Sequence, residues 1–219
     1  MTAPMELLLL VPAAYLLGSI PFGLIVGLSR GVDPRKAGSG NIGATNVGRL
    51  LGGRYFAIVF LLDMLKGALP MLAAGQAIRG TTPDATLDLL WLLVGLAAIV
   101  GHMFPIYLKF KGGKGVATSC GVAMGVFPYY TIPALLSAAL FLIIFKIWRY
   151  VSLASICAAI AFPIFYLALE LIVRRPGFRD RWPLLLFSLF VAAMITFRHR
   201  TNIARLRAGN ENRIEPKSP

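Results

Sequence analysis

The chain has 219 residues, 58% of them hydrophobic, a formal net charge of +13 and a mean hydropathy of +0.75. Soluble domains are about 45–50% apolar even when glycine is counted, so this composition excludes an ordinary soluble domain. It also excludes the nucleic-acid binder that the charge alone would suggest, because the basic residues sit in short connections between apolar runs, the positive-inside pattern of a polytopic membrane protein.

In chain order, residues 5–28 form a first apolar run. It is too long for a signal-peptide core, has no basic residues before it, and reads as a retained span. Its GSIPFG segment at 18–23 permits a kink or a close helix approach. The connection 29–54 carries Arg30, Arg35, Lys36, Arg49 and Arg54 against Asp33 alone. A second span is predicted at 55–77, with Asp63 and Lys66 spaced to pair on one helix face. A third follows at 87–108, where His102 is expected to make a structural hydrogen bond. After the basic loop 109–115 come a short span at 116–130, another at 132–147, a basic turn with Lys146 and Arg149, and a span at 151–173. A basic loop at 174–182, a span at 183–197 and a polar basic tail complete the chain.

The predicted fold is therefore all-α and polytopic, with about seven transmembrane helices and short cytoplasmic catalytic loops. Residues 1–203 would be one transmembrane domain and 204–219 a polar basic tail. With the N-terminus outside, most of the 22 Lys and Arg residues fall on the cytoplasmic side, although the 174–181 loop opposes the bias. Two of the spans are short, so five spans is the alternative. Cys120 and Cys157 lack metal spacing and a disulfide framework and read as buried free thiols.

Three polar stretches interrupt the oil. The first is GSGNIGATNVGR, Gly38 to Arg49, rich in glycine, hydroxyls and amides, without a carboxylate. Glycine reaches backbone conformations closed to other residues, and an array of N–H groups backed by an arginine suits a phosphate. Gly38, Gly40 and Gly43, with Asp63 some way on, imitate a dinucleotide fingerprint, but no strand precedes them and the acid lies in an apolar helix. The second is KFKGGKGVAT, Lys109 to Thr118. It lacks a glycine that a Walker A loop requires, yet a Gly-Gly turn entering a helix N-terminus, with Lys114 as a point charge, is an anion site in its own right. Lys109 and Lys111 read equally well as interfacial anchors. The third is RHRTN, Arg198 to Asn202. A basic stop-transfer tail explains its arginines but not His199 or Asn202, which suit a phosphate, a hydroxyl or proton transfer. The scattered carboxylates offer no acid–base dyad and no Mg²⁺ cluster, and there is no nucleophile elbow. Catalysis is expected to rest on positioning and electrostatics.

GSIPFG, GSGNIGATNVGR, KFKGGKGVAT and HRTNI together, in this order along nearly the whole chain, resemble the bacterial PlsY family of membrane glycerol-3-phosphate acyltransferases. The resemblance implies transfer of a fatty acyl group from acyl phosphate to the 1-hydroxyl of glycerol-3-phosphate, giving lysophosphatidic acid and inorganic phosphate, the entry to phospholipid synthesis. It implies no cofactor and no metal. Expected partners are both phosphorylated substrates, membrane lipids and the soluble enzyme that supplies acyl phosphate, with no nucleic acid. It also implies a multi-pass protein of the bacterial inner membrane with its active site facing the cytoplasm. Ser39, Lys114 and His199 are the expected catalytic residues. Gly38, Gly40, Asn41, Thr45, Asn46, Arg49, Gly112, Gly113, Gly115 and Asn202 are the expected substrate-binding residues. An anion transporter is the competing class; it would need internal repeats and polar groups at mid-membrane on several helices. A headgroup phosphotransferase would need an acid-rich metal motif that is missing.

Overall fold

Long apolar runs must satisfy their own backbone hydrogen bonds in lipid, and a helix does so within one segment. The computed structural model describes residues 2–82, 84–173 and 181–214, and the elements in them are helical: α1 Ala3–Ser19, α2 Phe22–Leu28, α3 Ala44–Leu51, α4 Gly53–Ala77, α5 Ala85–Met103, α6 Val116–Gly125, α7 Thr131–Trp148, α8 Val151–Val173, α9 Trp182–Arg198 and α10 Arg200–Arg207, with a 3₁₀ turn at Ile106–Leu108. They gather into two compact units, Met1–Phe127 and Pro128–Pro219.

Every apolar run of the sequence is a helix, but length separates them. Among the described residues, five helical stretches are long and apolar enough to cross a bilayer, and the α9–α10 pair, bent by 58°, makes a sixth if it counts as one. The predicted span at 116–130 shortens to the 10 residues of α6, about 15 Å of helix against a hydrocarbon core of about 30 Å. The basic loop predicted at 174–181 lies, up to residue 180, outside the described residues, as do 215–219 of the predicted tail.

In the first unit α1 pairs with α5, and α4 with α6. Lipid tails are as apolar as leucine, so such pairs are held by close packing of small residues rather than by exclusion of water. The fit is reciprocal in both. A Cβ on Gly18 would stand 2.3 Å from the Ala98 carbonyl oxygen, and one on Gly101 2.3 Å from that of Tyr15. Likewise a Cβ on Gly67 would meet the Thr118 oxygen at 2.2 Å, and one on Gly121 the Met64 oxygen at 1.9 Å. The predicted Asp63–Lys66 pair forms, with Nζ 2.8 Å from Oδ1. The GSIPFG segment breaks the first span: Leu24 N–H bonds the Pro21 carbonyl instead of continuing the α1 ladder to Ile20.

In the second unit α7 and α8 form a hairpin closed by Arg149 in the left-handed region, φ 61°. The Tyr130 ring meets Phe162 and Tyr166 edge-on, with centroids 5.0 and 5.4 Å away, and its hydroxyl donates to the Leu184 carbonyl. The predicted tail is partly built in. Residues 204–207 belong to α10, the Ile214 N–H donates to the Arg149 carbonyl at 3.1 Å, and Glu211 is buried. Glu211 Oε1 accepts from Ser152 Oγ at 2.8 Å and from Asn202 Nδ2 at 2.6 Å, while Oε2 accepts from Arg205 Nε at 2.7 Å. Burial raises the Glu211 pKa, but these donors more than offset it and the carboxyl is held below its ordinary value.

The cysteines are free, but Cys120 is exposed and Cys157 only half-buried. Their apolar setting in the sequence does not mean burial, because an outward face in lipid is as apolar as a core.

Two outcomes follow from this packing. Gly121→Ala forces a methyl against the Met64 carbonyl and is expected to cost at least about 1–3 kcal/mol, the scale of overpacking, read as a lowered Tm in detergent. Glu211→Gln sets an amide against donors and is expected to cost about 1–3 kcal/mol. Because the folded pKa is depressed, the Glu211 contribution is present above the unfolded value of about 4.3 and lost as pH falls through the lower folded value. Wild-type Tm should therefore drop more steeply than that of Glu211→Gln on acidification below about pH 4.

Candidate active site

The first loop is built around one asparagine. Asn46 is buried on α3. Its Oδ1 accepts the Ser39 N–H at 2.8 Å, and its Nδ2 donates to the carbonyls of Pro34, Ala37 and Asn41 at 3.0, 3.1 and 2.8 Å. Three acceptors share two N–H bonds, so the side chain is wholly committed to folding residues 34–41 around itself. Gly38 has to be glycine on two counts: φ is +60°, and a Cβ would lie 2.3 Å from Asn46 Oδ1. Gly40, at φ +70°, reverses the chain again, and Ser39 stands exposed between the two. Asn41 Oδ1 accepts the Gly43 N–H at 2.8 Å, and Gly43 then caps α3. Thr45 is half-buried in the first turn and Arg49 exposed in the last. Upstream, Asp33 takes both the Nε and the Nη2 of Arg35, at 2.9 and 2.8 Å. That side-chain bond lowers the Asp33 carboxyl to about 2, so the turn entering the loop keeps its ion pair at any ordinary pH.

The second loop doubles back on the end of α5. Lys109 and Phe110 both sit in the left-handed region, φ 50° and 63°, an uncommon conformation for residues that carry a Cβ. It is held because the Pro105 carbonyl accepts both the Leu108 and the Phe110 N–H. The chain then lies along α5: Gly112 N–H donates to the Met103 carbonyl at 3.2 Å and Gly113 N–H to that of His102 at 3.1 Å. A Cβ on Gly113 would be 2.1 Å from His102 Nε2, so the glycine backbone rests on the imidazole. Gly115, φ +86°, starts α6. Lys114 is half-buried between these glycines, whereas Lys109 and Lys111 are exposed. The loop thus delivers Lys114 at the head of a helix, where N–H groups and the dipole favour an anion.

Both loops lie in the first unit. His199 and Asn202 lie in the second, at the bend between α9 and α10. His199 is buried, and its Nδ1 stands 2.8 Å from the Ile195 carbonyl. A carbonyl only accepts, so Nδ1 carries a proton. Asn202 donates through Nδ2 to Glu211 Oε1 at 2.6 Å. Glu211 is the residue that sequence reading passed over. The available signal was a glutamate just past a glycine turn in a mostly basic segment.

Comparison with known proteins shows the family. The family model for glycerol-3-phosphate acyltransferase matches residues 8–209. A glycerol-3-phosphate acyltransferase of Geotalea daltonii is 46% identical over 94% of this chain and 96% of its own length. One of Aquifex aeolicus is 44% identical over 96% of this chain and all of its own. Crystal structures of PlsY, an integral membrane glycerol 3-phosphate acyltransferase, in its glycerol 3-phosphate and lysophosphatidic acid forms, superpose with TM-scores of 0.83 and 0.81. Each is 42% identical and covers 95% of this chain, with 96% and 95% of the respective crystal chains matched. The chain belongs to the glycerol-3-phosphate acyltransferase family of integral membrane proteins.

Proposed function

We propose that this protein transfers a fatty acyl group from acyl phosphate to the 1-hydroxyl of glycerol-3-phosphate, releasing lysophosphatidic acid and inorganic phosphate at the cytoplasmic face of a bacterial inner membrane. The observation that carries the reading is the pair of built glycine loops in one unit, each of a kind that suits an anion. One presents Ser39 between two left-handed glycines, the other Lys114 at the start of α6. Two phosphorylated reactants need two such cradles. The solved relatives were captured with glycerol 3-phosphate and with lysophosphatidic acid, one a substrate and the other the product of such a transfer.

Acyl phosphate is an activated donor, so the step requires no enzyme nucleophile. The glycerol hydroxyl oxygen forms the new bond to the acyl carbonyl carbon. The carbonyl-to-phosphate C–O bond breaks, and the phosphate leaves with its electron pair. The hydroxyl proton passes to a phosphate oxygen or to Nε2 of His199. Lys114, Ser39 and backbone N–H groups at Gly38 and Gly115 stabilise the charge that grows on the departing phosphate, while Gly40, Gly112 and Gly113, whose N–H groups bond the Ala37, Met103 and His102 carbonyls, shape the two loops. Arg49 and Thr45 on α3 hold glycerol-3-phosphate, and His199 and Asn202 keep the roles that the family resemblance implies for them. Asn46 and Asn41 contribute by shaping the first loop. The acyl chain lies in lipid-facing space between helices, and a soluble enzyme that makes acyl phosphate feeds the site from the cytoplasm.

Purified enzyme is expected to release phosphate from acyl phosphate only when glycerol-3-phosphate is present, and equally well with or without chelator. Lys114→Ala and Ser39→Ala should each lower turnover by about 100-fold or more, as loss of a charge-stabilising donor does; turnover within a few-fold of wild type would refute the site. Asn46→Asp keeps the shape but removes the donors that fold the loop. It should lower kcat/KM by about ten-fold or more, the kinetic equivalent of leaving buried carbonyls without a partner, in protein that still purifies as a monodisperse species.

A further inference from the structure

Besides Asp88 near the start of α5, three ionisable side chains are buried in the first unit and take no part in the transfer just described. They are Asp63 and Lys66 on α4 and His102 on α5, exposed by 2%, 2% and 5%. Charges so far from water persist only when paired and hydrogen-bonded. Beyond its contact with Asp63, Lys66 Nζ donates to the Ile20 carbonyl at 2.9 Å. That carbonyl stands at the α1–α2 break. On the far side of the break α2 carries Gly23, whose backbone lies so near the first loop that a Cβ would fall 1.7 Å from the Ile42 oxygen. In the other direction Asp63 Oδ1 lies 3.6 Å from His102 Nδ1. The opposite edge of that ring, Nε2, is the surface on which Gly113 of the second loop rests.

The geometry points to a positioning cluster: Asp63, Lys66 and His102 together set the first glycine loop in register with the second. This rests on the acyl-transfer reading of the two loops. Such a buried pair adds little net stability over apolar residues of the same size, but its bonds are directional. Lys66 is satisfied only with the Ile20 carbonyl and the Asp63 carboxylate both in place. The carboxylate in turn faces the imidazole beneath Gly113. Two phosphates must be held so that one oxygen meets one carbonyl carbon, and a misplacement of about 1 Å can cost about 100-fold in rate.

The discriminating variant is the double replacement Asp63→Asn with Lys66→Met, which removes both charges together and leaves neither unpaired; the Ile20 carbonyl keeps its bond from the Phe22 N–H. The expected result is a thermal midpoint in detergent close to wild type with kcat/KM for phosphate release lowered by about 10–100-fold, the range for residues that orient catalytic groups. A midpoint near wild type with kinetic constants within about two-fold, the scatter of uncoupled sites, overturns the proposal. A cycle of His102→Asn and Gly113→Ala tests the contact itself even if the double variant folds poorly. His102→Asn keeps a polar group towards Asp63 and removes the ring atoms below Gly113. Gly113→Ala should then cost about ten-fold less in kcat/KM than it does in wild type, the scale of coupling between touching groups; equal cost in both backgrounds overturns the proposal. Failure of the reaction assignment is separate, since it appears in the wild-type enzyme as no phosphate release at all.

Discussion

Where α1 gives way to α2, Leu24 N–H turns to the Pro21 carbonyl and the Ile20 carbonyl is met by the ammonium of a buried lysine. In lipid a carbonyl released from its ladder has no water to turn to; the Ile20 carbonyl is met by the Phe22 N–H and by Lys66, and Lys66 tolerates burial because Asp63 stands 2.8 Å away. The broken helix is what sends α2 against the first loop. A proline, a lysine and an aspartate thus decide together where the chain leaves the apolar part of the first unit.

Close helix contact does the rest. Reciprocal glycines bring α1 onto α5 and α4 onto α6 at backbone-to-backbone distance, and the second loop is the link between the ends of two of those helices. Its course is therefore narrowly constrained. It returns along α5, bonded to the Met103 and His102 carbonyls, and enters α6 through a left-handed glycine. Lys114 inherits its position from that course. Lys109 and Lys111, a few residues earlier, are exposed, because nothing packs around them.

A division of labour recurs within the site side chains of the second unit. His199 gives Nδ1 to the Ile195 carbonyl, and Asn202 gives Nδ2 to Glu211. One polar atom of each is spent on the scaffold, which settles the orientation of the other. The carboxylate of Glu211 serves α8 and α10 at once, through Ser152, Asn202 and Arg205. Residues that composition assigns to a solvated tail thereby become part of the scaffold around Asn202.

What the sequence determined by itself was whatever is local or periodic. Apolar runs of span length dictate helices in a membrane. The three-residue spacing of Asp63 and Lys66 dictates their pairing. The glycine-rich stretches at 38–49 and 109–118 mark the polar loops, and the four motifs in order resemble one family. Only the tertiary structure decided that α6 stops at 10 residues, that Cys120 is exposed, that Asn46 is a loop former and that His102 lies between Asp63 and Gly113. It also brought Glu211 back to Ser152. Periodicity shows which face of a helix is apolar, but in lipid both the packed face and the outer face are apolar. Which residues from distant parts of the chain come to touch is settled only when small residues let particular helices close on one another.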